Sequence, residues 1–193
     1  MTDGDRSKSE EDARSSQQPR IFTNFSEYEP PFDIVSTATR MIASIPAHYL
    51  FGLSTIVFTN MDCLSRKRRR GTAKSRKRKV RIADTAGVYH GAWRGEAAWV
   101  EVFVDQTFKH TRSSGWMMKV PAMREVLLSN VLFHEIGHHI HATVGREFRE
   151  NEDVAEDWRK KLQQGYYRAR YPWLIPVAYL LRPLLGMDRK NGT

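Results

Sequence analysis

The sequence predicts an α+β fold in a single domain: a small twisted sheet, a long helix carrying H-E-x-x-H, and a following glutamate helix. Three observations predict it. Two β-rich runs stand at 55–59 and 98–104. Apolar residues recur at helical spacing from Pro121 into a cluster of histidines. An acidic stretch, Glu150 to Trp158, then places Glu152 and Glu156 four apart, on one helical face. With 193 residues the chain can bury a real core and fits one domain with tails. The expected division is a disordered tail at 1–30, the domain at 31–165 with a basic insertion at 65–81, and an apolar segment and tail at 166–193.

The tail is polar and charged through residue 20 and shows no periodicity. It has no apolar stretch behind a basic start, so no signal peptide is visible. Cys63 stands alone, which rules out an internal disulfide and a cysteine zinc site and suits a reducing compartment. A cytoplasmic location is the expectation. Glu29-Pro30-Pro31 breaks the chain, and Asp33 can cap a helix whose stripe is Ile34, Val35, Ala38, Met41, Ile42 and Ile45. Pro46 ends it. His48 reads as an ordinary core or surface residue. Thr55–Thr59 is the expected first strand.

Residues 66–81 contain eleven basic residues and no acidic one. The chain carries +9 in all, so the remainder is about −2 and this segment alone makes the protein basic. Such a run is expected to project as a flexible insertion. It offers a surface for nucleic acid or anionic lipid, and it lacks the aromatics that stack bases. Asp84–Gly91 reads as a strand entering a turn. Ala98–Val104 is the clearest strand: Val100, Val102 and Val104 should face the core, and Trp99, Glu101 and Phe103 the other side. Residues 105–119 read as a loop packed on the next helix. Trp173–Leu185 is apolar, but two prolines and an arginine interrupt it, and it is too short to span a membrane.

The chemistry sits in Leu132–His141, which holds four of the seven histidines. One helix is expected from about 121 to 143, opened by Pro121 and stopped at Gly145. His134 and His138, four apart, can turn their rings to one ion. Glu135 lies about 100° round the helix, where it can take a proton from a water at the open position. His141 lies a turn too far along, and the longer pattern with a third histidine fails because position 144 is Val. The third ligand is therefore sought in the acidic stretch. Glu152 is the first candidate and Glu156 the alternative; the one that does not ligate can accept a hydrogen bond from a ligand histidine. Ala155 leaves room for two helices to approach. Tyr166 and Tyr167 could steady a developing oxyanion, although two tyrosines on a helix are more often packing residues.

HEIGHH followed by ENEDVAEDW resembles the gluzincin branch of the zincin metallopeptidases, closest to small members such as the ImmA/IrrE-like peptidases and the minigluzincins. The resemblance covers about 121–163. It implies a zincin-like fold, zinc held by His134, His138 and Glu152, Glu135 as general base, and a partner role for Glu156. It also implies that the strand before the zinc helix is a sheet edge bordering the cleft. The chain departs from these relatives in having Trp158 where Phe is common, and in lacking the helix-turn-helix that accompanies some of them.

The expected function is hydrolysis of peptide bonds in a protein or peptide substrate. Two alternatives are a zinc protease anchored on nucleic acid through 66–81, and a non-catalytic binding module that uses zinc for stability. An intact H-E-x-x-H speaks against the last, since Glu135 would have no role there.

Overall fold

The computed structural model describes residues 18–75, 78–109, 119–144 and 152–173. Among these the protein is α+β, with a mixed four-stranded sheet and five helices. The chain opens with strand β1 (Arg20–Asn24), helix α1 (Ile34–Ala43) and strand β2 (Leu53–Thr59). A short helix α2 (Arg66–Arg69) leads to an antiparallel ribbon, β3 (Thr72–Ser75) with β4 (Arg78–Arg81). Strands β5 (Gly87–His90) and β6 (Ala98–Phe103) follow, then α3 (Val104–Thr107), α4 (Pro121–Val144) and α5 (Glu152–Arg170).

The sheet order is β1-β2-β6-β5. β1 and β6 both run parallel to β2, and β5 returns antiparallel to β6. Every position of β6 is buried or half-buried, as an interior strand requires. Val100 and Val102 face the main core with Ile56 and Phe58 of β2, Met41 and Ile42 of α1, and Leu128, Leu132, Phe133, Ile136 and Ile140 of α4. Phe103 points the other way and joins Met61 and Leu64 in a second apolar cluster, flanked by Ile82 and Val88. The segment after β2 therefore covers the second face of the sheet.

Several expectations need correction. The ordered chain begins at or before residue 20: β1 lies inside the stretch expected to be tail, with Phe22 more than half exposed and only Ile21 touching the core. α5 continues to Arg170, past the expected boundary at 165. The basic run does not simply project. Its start forms α2, capped by Ser65, which accepts from the Arg68 N–H, and Thr72–Ser75 and Arg78–Arg81 form the ribbon. What holds it down is Glu101, which faces the second side of β6 with a side chain 4% exposed and pairs with Arg68. A buried carboxylate without a cation is costly, so Glu101 and Arg68 fix each other. β6 is not a sheet edge; β5 is. Val35 is exposed and does not belong to the stripe of α1, while Asp33 caps that helix as expected by accepting from the Ser36 N–H at 2.9 Å. The expected stop at Gly145, Trp116 and its neighbours, and the apolar C-terminal segment beyond Trp173 lie outside the described residues. No helix among the described residues is long and apolar enough to cross a membrane.

Candidate metal centre

α4 runs through the middle of the protein. Its five fully buried large apolar side chains contribute about 1.5–3 kcal/mol each. That outweighs the roughly 1 kcal/mol that Gly137 costs inside a helix. Gly137 is there because α5 crosses at that point. A Cβ on Gly137 would stand 2.5 Å from the carbonyl oxygen of Ala155 and 3.1 Å from its Cα. Only a glycine facing an alanine lets the two backbones come this close, and the crossing brings the first turn of α5 onto the motif.

The result is a group of three. Glu152 Oε2 lies 3.3 Å from His134 Nε2 and 3.8 Å from His138 Nε2. One donor atom from each of the three residues falls within 4.8 Å of the other two. The imidazole rings stand 4.8 Å apart and nearly perpendicular, at 88°. Ligands around a tetrahedral zinc lie about 3.3–3.5 Å from one another, given bonds near 2.0–2.1 Å. The His134–Glu152 spacing already meets that figure and the wider ones, up to 4.8 Å, reach it by closing about 1 Å or a little more, and two imidazoles with one carboxylate are a set that zinc accepts. The residues present fit the ion.

No protein family, no curated protein and no solved structure matches this chain.

The electrostatics suit the same use. Burial, reinforced by the nearby His134, holds His138 down at about 4, against the opposing pull of Glu152, so its ring is neutral and free to ligate near pH 7. Glu135 is 7% exposed. Burial raises its carboxyl to about 8; a hydrogen bond from the Tyr89 backbone opposes this and the Glu152 charge adds to it. Without a cation beside it the group is therefore mostly a neutral acid near pH 7, and its ionised form is an unusually strong base. Gly87 of β5 makes room for it: a Cβ there would stand 2.9 Å from both Cγ and Oε1 of Glu135 and 2.7 Å from Val131 Cγ1. β5 thus lies directly over the carboxylate. The space between them is a cleft of about 480 Å³, lined by residues 85–90 on one side and by Val131, His134, Glu135, His138 and Glu152 on the other.

Glu156 occupies the alternative place. Its Oε2 is 3.8 Å from His134 Nδ1 and accepts from Arg159 Nε at 2.7 Å. Arg159 also pairs with Oε1, and this pairing is the chief reason the Glu156 carboxyl is held low. Glu156 is therefore committed to Arg159 and stands behind His134, outside the group of three. Arg159 further donates to Asn130 of α4 at 2.7 Å, tying the two helices together. His141 is likewise outside the group, as expected.

Tyr166 and Tyr167 do not reach the cleft. Tyr166 is buried and donates to Glu125 at 2.8 Å, and Tyr167 bonds Ser129 at 2.8 Å. Both serve the packing of α5 on α4. His48 is exposed.

Sequence reasoning missed three residues of the site. His139, fully buried, sits about 100° round the helix from His138 and turns the other way. Its Nε2 bonds the Phe51 carbonyl at 3.0 Å, which makes that nitrogen the donor and leaves Nδ1 to accept from Tyr89 Oη at 3.4 Å. Burial pushes its pKa down. His139 thus braces the motif against both the turn before β2 and the edge strand. Tyr89 and Gly87 were read only as strand residues. A glycine opening a strand was the available signal for a close approach there, as was a glycine in mid-helix at 137.

Proposed function

We propose that the protein is a zinc-dependent peptidase of the gluzincin kind, with His134, His138 and Glu152 as ligands and Glu135 as general base. The observation that carries this reading is the convergence of the three donor atoms beside a buried, strongly basic carboxylate that faces an open cleft. Zinc, when bound, supplies a Lewis acid that polarises a substrate carbonyl and makes water acidic enough to attack near neutral pH. The protein's own groups do the rest. Glu135 takes the proton of the attacking water at its carboxylate and hands it to the leaving amine. The Tyr89 backbone N–H orients that carboxylate, and Gly87 keeps the space above it clear. β5, the edge strand of the sheet among the described residues, offers main-chain groups to an extended peptide lying in the cleft.

The test is cleavage of a diverse pool of unfolded peptides by zinc-loaded wild type and by zinc-loaded Glu135→Gln. The expected result is that wild type cuts and the variant, with equal zinc content, does not. Turnover by the variant at a wild-type rate overturns the assignment of Glu135.

A further inference from the structure

The basic segment forms part of the cleft wall. Thr72 opens the β3–β4 ribbon and Ile82 follows it, and both line the same space as His134 and Glu135. The Ile82 N–H donates to the Gly71 carbonyl at 3.0 Å and closes the ribbon at its base. Beneath it, Glu101 joins Arg68 to His90 Nε2, the latter at 3.2 Å, and His90 lines the cleft too. Two cations are thereby used to fix the segment: Arg68, and Arg69, which meets Asp62 at 3.3 Å and donates to the Leu64 carbonyl. Arg66, Lys67 and Arg70 are exposed. In the ribbon the register sets Lys74 opposite Lys79.

From this placement we propose that the cleft selects polypeptides carrying a run of aspartate or glutamate beside the bond to be cut, with the basic segment receiving the acidic flank. The inference rests on the peptidase reading and adds its substrate class. Phosphates of a nucleic acid would satisfy the charge. The position favours the polypeptide, because the base of the ribbon opens into the space where the scissile chain must lie.

The experiment reads binding without turnover, so that it stands whether or not peptide bonds are cut. Zinc-loaded full-length Glu135→Gln protein is titrated, by fluorescence anisotropy, into a labelled peptide with a glutamate run on one flank and into the same peptide with glutamine in its place. The acidic peptide is expected to bind about tenfold tighter at low salt, the sum of several exposed ion pairs. Added salt should shrink that ratio. The ratio should vanish when Arg66, Lys67, Arg70, Lys74 and Lys79 are all changed to Gln, with zinc content unchanged. The bound acidic peptide should also slow amide exchange in Gly87–His90. Equal affinity for the two peptides overturns the proposal, as does undiminished preference in the substituted protein or unaltered exchange in Gly87–His90. Tighter binding of duplex DNA than of the acidic peptide also overturns it and reassigns the segment to nucleic acid.

Discussion

Replacing Gly137 by alanine tests how the two site helices are set. By helix propensity alone the change should stabilise the protein by up to about 1 kcal/mol. The structure predicts the opposite sign. The new Cβ would lie 2.5 Å from the Ala155 carbonyl oxygen and 3.2 Å from its carbonyl carbon, both of them backbone atoms with no rotamer to escape into. Reaching ordinary contact at 3.4 Å requires the helices to part by about 0.9 Å. Overpacking of this kind costs about 1–3 kcal/mol, so after the propensity gain the net loss is up to about 2 kcal/mol. For a chain of this length that lowers Tm by up to roughly 8 °C. The same shift carries Glu152 away from His134 and His138, and zinc affinity should fall by about tenfold or more. Gly165→Ala is the matched control: it lies within α5 with nothing near its Cβ position, and should raise Tm by roughly 2–4 °C. Thermal melts with and without zinc, together with a competition titration against a chelating dye, give both quantities. A Gly137→Ala protein as stable as wild type, with unchanged zinc affinity, would refute the account of the crossing.

Other outcomes follow from the same geometry. Gly87→Ala should keep the fold and zinc content but lower kcat/KM by about a hundredfold, because its Cβ displaces the Glu135 carboxylate; near-wild-type turnover would show that the strand has slack at this point. Glu152→Gln should weaken zinc at least about a hundredfold and Glu156→Gln about tenfold or less, as measured by the same dye competition; the reverse order would exchange their roles. The raised pKa of Glu135 means that its charged form destabilises the metal-free fold progressively as pH rises from 4.5 toward about 8. In chelator, Glu135→Gln should therefore match wild type near pH 4 and exceed it at pH 8 by about 3–5 kcal/mol at most, read from urea unfolding. An equal difference at both pH values would mean that the carboxylate is not held in the way its burial implies.

The readability of this sequence was uneven for physical reasons. α4 and its two histidines follow from short-range spacing, which a helix converts directly into a shared face, whereas spacing left Glu152 and Glu156 as alternatives on the next helix. The Asp33 cap is legible for the same reason. β1 was not, because a strand of five residues with a single half-buried position shows no alternation, and its partner β2 lies more than thirty residues away. The basic segment was misjudged because its charge was counted without its partner. Glu101 lies 33 residues from Arg68, and nothing local announces that the two meet. The tyrosines pack, the commoner use of two helical tyrosines, and do not steady an oxyanion, because their partners are Glu125 and Ser129 of α4.

The proposed ligands come from two segments of chain, with 139–151 between the last histidine and the glutamate. An ion held by all three would act as a crosslink closing that loop. By analogy with a disulfide spanning about 15 residues, it would remove roughly 3 kcal/mol of freedom from the unfolded chain. The same ion that activates the substrate would then also serve as the clasp between α4 and α5, and a protein stripped of it would lose resistance to proteolysis together with its activity.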